Sequence, residues 1–259
     1  MRCSICRKEG HNKRTCLSRE NKDKEKTKKK TKIKTEDTGL QFEKGICLSL
    51  QIDYNGKYKY GNDEPEKIAS RLKNLSKYLN LPEPVHTAGK GGRYDFSSKV
   101  VETLHLSAKS SKKSMGKVAP QKIGQARPEK FCREIGINYT TKGELKKYIQ
   151  NNIKYIIPFL VDNTFDCPNI YYNKHNDTIR LIKLNSSIDW NKYKFTWTCH
   201  WSKWNNSSTL KIDMNDDKIK KPPSLIEFQF HNTRKNMAIR WSYDNFLDIF
   251  KDKLDIIDF

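Results

Sequence analysis

Two neighbouring stretches, Gly91-Gly-Arg-Tyr-Asp-Phe96 and Thr103-Leu-His-Leu-Ser-Ala-Lys-Ser110, predict a pair of adjacent β-strands. Both combine aromatic or aliphatic residues with polar ones in the alternation that is typical of strands. Because alternate side chains of a strand share a face, Ser107 and Lys109 are expected to point the same way. The pattern therefore predicts Asp95 on one strand and Ser-x-Lys on the next.

An acidic residue and a lysine on adjacent strands suit metal-dependent phosphodiester hydrolysis. Such hydrolysis needs a carboxylate to hold Mg²⁺ and a basic group near the attacking water. Asp95 is the candidate magnesium ligand, and Lys109 is the candidate that orients or activates the water.

The apolar periodicity around these strands predicts an α/β (α+β) fold, with a mixed central sheet flanked by helices and a β-rich C-terminal part. Phe42, Ile46, Leu48 and Leu50 are candidate buried positions of the first helix. The predicted helices span residues 40–51, 63–79, 129–135, 142–157 and 244–250, and further strands are predicted over 178–184, 193–201, 225–230 and 236–241.

The N-terminus contains a candidate zinc site formed by Cys3, Cys6, His11 and Cys16. Three thiolates and one imidazole satisfy the tetrahedral preference of zinc. The spacing C-x2-C-x4-H-x4-C, with Gly10 before the histidine, is similar to that of zinc knuckles. A segment this short has no hydrophobic core, so bound Zn²⁺ is expected to supply its folding free energy.

Charge divides the chain into three predicted parts: the knuckle over residues 1–19, a disordered basic linker over 20–38 and a folded body over 39–259. The formal net charge is +21, from 51 Lys and Arg against 30 Asp and Glu. Cations that neutralise phosphates release condensed counterions, so this charge predicts nucleic-acid binding. No apolar run is long enough to span a bilayer, and we expect a soluble, intracellular protein that does not bind membranes.

The region from about Gln41 to Gln125 resembles the PD-(D/E)xK nuclease superfamily, and type II restriction endonucleases in particular. Asp95 matches the first acidic residue of the motif and Lys109 matches its lysine. Glu43, on the predicted first helix, matches a glutamate that is common there. The resemblance implies a restriction-endonuclease-like fold and Mg²⁺-dependent cleavage of DNA.

Ser107 is where this sequence departs from the motif, because a second carboxylate is expected at that position. Some restriction enzymes have Ser-x-Lys and take the missing carboxylate from elsewhere. Glu43, Glu102 and Glu129 are the candidates to replace it here. We therefore regard Ser107 as part of the centre and leave the choice of carboxylate open.

The basic segment after Lys109 and a strand pair near the C-terminus predict the DNA contacts. Gln bridges adenine edges, while Lys and Arg meet phosphates. The candidate residues are Lys117, Gln121, Lys122, Gln125, Gln229, His231 and Arg234.

The sequence therefore predicts a Mg²⁺-dependent, site-specific DNA endonuclease with an N-terminal zinc knuckle on a basic tether. Double-stranded DNA is the expected partner, and the resemblance implies a homodimer. The alternatives are a non-catalytic zinc-knuckle protein that binds nucleic acid and a homing or recombination nuclease. Cleavage of plasmid DNA with Mg²⁺ and with EDTA separates the enzyme from the binding protein.

Overall fold

The computed structural model describes residue 9 and residues 35–88, 92–214, 221–231 and 235–259. The chain divides into two units, Met1–Lys34 and Thr35–Phe259. Outside the described residues lie the predicted zinc ligands, most of the predicted linker and one predicted DNA contact: Cys3, Cys6, His11, Cys16, residues 20–34 and Arg234. Within the described parts, no helix is both long and apolar enough to cross a bilayer.

The second unit contains α-helices and β-strands in mixed order. The helices are α1 Thr35–Leu50, α2 Asp63–Arg71, α3 Leu75–Tyr78, α4 Pro128–Ile135, α5 Lys142–Asn151, α6 Ile153–Thr164 and α7 Tyr243–Ile249. The strands are β1 Pro84–His86, β2 Phe96–Ser98, β3 His105–Ser111, β4 Lys117–Val118, β5 Asn169–Asn173, β6 Thr178–Leu184, β7 Lys194–Trp197, β8 Ser207–Asp213, β9 Ser224–Phe230, β10 Met237–Ser242 and β11 Leu254–Asp258.

The first sheet has six strands in the order β1-β2-β3-β5-β6-β11. Its neighbours are antiparallel except for β3 and β5, which are parallel. The long connection between β3 and β5 contains α4, α5 and α6, as parallel pairing requires. This sheet contains both strands of the predicted Asp95–Lys109 pair.

The second sheet contains most strands of the predicted β-rich C-terminal part. Strands β4, β10, β9, β8 and β7 form a separate antiparallel sheet in that order. The predicted strand over 178–184 instead pairs with β5 and β11 in the first sheet. Periodicity identifies strands but not their partners, so it could not divide the C-terminal strands between two sheets.

The two faces of the first sheet contact different hydrophobic clusters. On one face Leu106, Ile170 and Tyr172 pack with Phe42 and Ile46 of α1. On the other face the buried side chains of β5 and β6 join a cluster that includes α4–α7 and the second sheet. The first sheet is therefore covered on both sides, as expected for a sheet with parallel pairing.

Several boundaries differ from the predicted ones. α1 begins at Thr35 rather than residue 40, inside the predicted linker. The alternating residues of 100–108 predict a strand over that range, but the observed strand begins only at His105, because residues before it form a turn. In that turn the Ser98 hydroxyl accepts hydrogen bonds from the N–H groups of Val100 and Val101.

Close packing of α1 on α2 at Gly45 gives a testable prediction. A Cβ at Gly45 would lie 2.6 Å from Cγ2 of Ile68 and 3.0 Å from the carbonyl oxygen of Pro65. Gly45→Leu should therefore lower the free energy of unfolding by about 2 kcal/mol, because overpacking forces neighbouring atoms apart. Urea denaturation measures this change. Gly61→Leu is the control, since a Cβ there meets nothing within 4 Å; equal effects at both positions would contradict the prediction.

Candidate active site

Asp95 lies directly before β2 and is fixed by β3. Its Oδ2 accepts hydrogen bonds from the backbone N–H of Ala108, at 2.7 Å, and from the Oγ of Ser107, at 3.0 Å. Its carbonyl oxygen accepts from the N–H of Thr87, next to β1, at 2.8 Å. Ser107 is fully buried, so the residue at the expected position of a second carboxylate serves as a hydrogen-bond donor to the first.

Ser107 and Lys109 lie on one face of β3. In the parallel register, Ser107 pairs with Asn169 and Lys109 pairs with Tyr171. The hydrogen bond from Ser107 brings the Asp95 carboxylate to the same face. The structure therefore brings together three of the predicted catalytic residues.

Lys109 is partly buried and has a neutral partner. Its Nζ donates a hydrogen bond to Oε1 of Gln121 at 2.9 Å. Loss of solvation lowers the pKa of the Lys109 ammonium, and the negative charge of Asp95 opposes this shift. Because loss of solvation is the larger effect, the neutral amine is more accessible here than for a lysine in water.

Asp166 is a carboxylate of this region that the sequence reasoning missed. It lies between α6 and β5, accepts a hydrogen bond from Oη of Tyr94 at 3.0 Å and pairs with Arg93. Like Asp95, it opposes the lowering of the pKa of Lys109 that burial causes. The segment Phe165-Asp-Cys-Pro168 carries no motif, and only the parallel pairing of β5 with β3 brings it here.

Glu43 projects from α1 and is held by a buried histidine. Its Oε2 lies 3.2 Å from Nε2 of His86. The backbone N–H of Asn55 donates to Nδ1 of His86 at 3.0 Å, so the ring proton lies on Nε2 and is donated to Glu43. His86 stacks on the ring of Tyr54, with 4.6 Å between centroids. Glu43 also acts electrostatically on Lys109.

The other two candidate carboxylates lie elsewhere. Glu102 is exposed in the turn between β2 and β3. Glu129 is on α4 and accepts a hydrogen bond from Oη of Tyr139 at 3.3 Å. Among the described residues, neither forms a hydrogen bond or ion pair with Asp95 or Lys109. The structure therefore gathers Glu43, but not these two, around the lysine.

The carboxylates near Asp95 could fill only part of the coordination shell of Mg²⁺. In the described parts of the chain, no three His, Cys, Asp or Glu side chains are grouped closely enough to hold a metal ion. Mg²⁺ commonly takes one or two protein carboxylates and completes its shell with water and substrate phosphate. One fixed carboxylate, Asp95, with Glu43 in its neighbourhood, is compatible with that requirement.

Two of the predicted DNA contacts belong to a charged network on the second sheet. Lys117 Nζ lies 3.6 Å from Oε2 of Glu227, and Nη1 of Arg240 lies 3.8 Å from the same oxygen. Nη1 of Arg240 also donates to Oε1 of Gln229 at 3.0 Å. These four side chains are partly exposed, and the sequence reasoning had not identified Arg240 or Glu227.

The remaining predicted contacts are dispersed. Gln121 is next to Lys109 rather than on an open surface. Lys122 pairs with Glu134 of α4 at 3.6 Å, Gln125 is exposed and His231 is partly exposed. Arg234 lies outside the described residues.

Comparison with known proteins identifies a relative over most of the chain. The chain is 35% identical over 247 residues to the protein named type II restriction enzyme CviAII of Paramecium bursaria Chlorella virus 1. The alignment covers 94% of this chain and 67% of that protein. No family model matches the chain, and no solved structure matches it. The similarity therefore extends far beyond the strands that carry Asp95 and Lys109.

The hydrogen bond from Ser107 to Asp95 gives a prediction about stability. Ser107→Ala should lower the free energy of unfolding by about 1 to 2 kcal/mol, since it removes a buried hydrogen bond to a charged group. Ser110→Ala, on the opposite face of β3, is the control and should change it by less than about 0.5 kcal/mol. Urea denaturation compares the two, and equal losses would refute a specific contribution from Ser107.

Proposed function

This chain belongs to the type II restriction enzyme family, and we propose that it is a Mg²⁺-dependent endonuclease that hydrolyses phosphodiester bonds of double-stranded DNA at specific sites. The observation that carries the proposal is the fixed carboxylate of Asp95 on the same sheet face as Lys109. A restriction-endonuclease fold of the PD-(D/E)xK type is part of the proposal, and the order of α1, β2 and β3 supports it.

Asp95 would hold the Mg²⁺ ion in this proposal. Hydrogen bonds from Ser107 and Ala108 fix one carboxylate oxygen, so the carboxylate is oriented before any ion arrives. When bound, Mg²⁺ would supply charge neutralisation at the scissile phosphate. Ser107 and Ala108 contribute the orientation of the Asp95 carboxylate.

Glu43 is the proposed second carboxylate, in place of the acidic residue that Ser107 replaces. His86 donates to one of its oxygens and is itself oriented by Asn55. Asp166 also acts on Lys109, but its carboxylate is engaged by Arg93 and Tyr94. Asp166 is thus paired with a guanidinium that is always charged, whereas the partner of Glu43 is an imidazole, and this difference favours Glu43.

Lys109 would orient and deprotonate the attacking water. Burial lowers the pKa of its ammonium, and its hydrogen-bond partner, the Gln121 amide, carries no charge to hold the proton on. A general base works best when its pKa lies near the operating pH. The environment of Lys109 therefore lowers the pKa of its ammonium toward the range that suits a general base.

Positive charge would supply much of the affinity for DNA. The net charge is +21, and phosphate contacts give affinity that falls as salt is added. We propose that the zinc knuckle formed by Cys3, Cys6, His11 and Cys16, on its basic tether, raises the local concentration of DNA. Lys117, Lys122, Gln125, Gln229, His231 and Arg234 are the proposed contacts of the body, and a homodimer would cut both strands.

Replacement of Lys109 gives a direct test of the proposed chemistry. The wild-type protein should cut plasmid DNA into discrete fragments with Mg²⁺ and leave it intact with EDTA. Lys109→Ala should cut at least about 100-fold more slowly, because it removes the general base. Binding measured by gel shift in EDTA should change little.

Lys130→Ala, on the exposed surface of α4, is the matched control and should cut like the wild type. Normal cleavage by Lys109→Ala would show that the assignment of the lysine is wrong. Intact plasmid with the wild-type protein and Mg²⁺ would favour a protein that binds nucleic acid without cutting it.

The lowered pKa of Lys109 predicts the pH dependence of cleavage. The lysine accepts a proton from water only after its ammonium has lost its own. The single-turnover rate should therefore rise with pH up to the lowered pKa and then level off. Lys109→Arg should abolish this rise, because a guanidinium stays protonated. A wild-type rate that falls or stays constant from neutral to alkaline pH would contradict the role of base.

A further inference from the structure

Gln121 is held firmly in the loop between β4 and α4. Its backbone N–H donates to the carbonyl oxygen of Asn163 on α6 at 3.1 Å. The N–H of Gly124 donates to the carbonyl oxygen of Pro120 at 3.2 Å, and the carbonyl of Gly124 accepts from Ile239 of β10 at 2.8 Å. The loop therefore joins α6 to the edge of the second sheet and fixes the position of Gln121.

The turn that contains Gln121 is closely packed at Gly124. A Cβ there would lie 2.5 Å from Cβ of Ala119 and 2.5 Å from the carbonyl oxygen of Pro120. Such distances are shorter than any ordinary contact between nonbonded atoms, so the turn requires glycine. Ile123, inside the same turn, is fully buried.

The orientation of the Gln121 amide follows from its partner. The ammonium form of Lys109 is a donor only, so in that form the group that faces it is the carbonyl oxygen Oε1, at 2.9 Å. The amide nitrogen Nε2 is buried and has no hydrogen-bond partner among the residues that the structure describes.

A buried N–H group without a partner costs free energy and is rare in folded proteins. Here it lies on the side chain that contacts Lys109. The Gln121 N–H group has no acceptor although it lies beside the proposed general base. This is explained if the substrate supplies the acceptor.

A phosphate oxygen fits this donor, whereas the two-bond pairing with an adenine edge does not. The sequence predicted that Gln121 bridges an adenine, but that pairing uses both the amide oxygen and the amide nitrogen. In the structure, Lys109 already occupies the oxygen. The group that remains is a donor only, and phosphate oxygens are acceptors only.

We propose that Gln121 is a catalytic residue that donates its free amide hydrogen to a nonbridging oxygen of the scissile phosphate while its carbonyl oxygen holds Lys109. The side chain thereby fixes the distance between the general base and the phosphate. This inference rests on the proposed endonuclease function, and it assigns no proton transfer to Gln121 itself.

Two substitutions separate this role from a structural one. Gln121→Glu keeps an acceptor for Lys109 but loses the donor and adds a negative charge. Gln121→Met has a similar length and removes both groups. Single-turnover cleavage with Mg²⁺ should be at least about 100-fold slower for both variants, the loss seen when one donor to a developing charge is removed.

A catalytic role and a structural role differ in what they predict for folding. Gln121→Met removes the unpaired buried donor but also removes the acceptor of Lys109, and these two changes affect stability in opposite directions. Its melting temperature should therefore stay well above the assay temperature, whereas cleavage is lost. Circular dichroism measures the melting temperature, and a gel shift in EDTA measures DNA binding. Asn74→Asp adds the same charge on the exposed turn between α2 and α3 and should cut like the wild type.

Cleavage by both Gln121 variants within about threefold of Asn74→Asp would overturn the inference, since a lost donor should cost far more. So would melting temperatures of both Gln121 variants at or below the assay temperature, since unfolding would then account for the lost cleavage. Lys109→Ala in the same assay distinguishes the two proposals. If it is inactive while the Gln121 variants cut normally, the endonuclease stands and only the role of Gln121 fails.

Discussion

The pair of hydrogen bonds that Asp95 accepts from β3 is the interaction around which the candidate site is built. The N–H of Ala108 and the hydroxyl of Ser107 both reach Oδ2, and the main chain of Asp95 binds Thr87 next to β1. One residue therefore connects three neighbouring strands of the first sheet. Because Lys109 follows Ala108 on β3, its backbone is held next to the strand segment that binds the Asp95 carboxylate.

Serine at position 107 is a consequence of the same arrangement. The position is fully buried, and a carboxylate there would lie beside the Asp95 carboxylate, with like charges in a poorly solvated place. A hydroxyl instead donates to Asp95. Lys109 then lacks a carboxylate on its own strand face and binds the neutral amide of Gln121, which leaves burial as the dominant influence on its pKa.

Local sequence patterns predicted the structural features that depend only on residues close together in the chain. The strand over 178–184 and the shared face of Ser107 and Lys109 follow from periodicity, and both are present in the structure. The missed strands β5, β8 and β11, the second sheet and the position of Asp166 depend on pairing between distant segments. Gln121 was expected among the DNA contacts, and its hydrogen bond to Lys109 could not be read from the sequence, because that contact is a property of the tertiary structure.

Gln121 and Gln229 show how burial separates chemistry from recognition. A cation occupies the amide oxygen of each: Lys109 for Gln121 and Arg240 for Gln229. Arg240 is partly exposed and also lies near Glu227, and an exposed contact of this kind costs only about 1 kcal/mol or less to break. Gln229 can therefore release its oxygen and pair with a base edge through both amide groups. Gln121 would lose its contact with Lys109, whose ammonium is poorly solvated. Under the proposed function, pairing with a base edge would therefore fall to Gln229 rather than to Gln121.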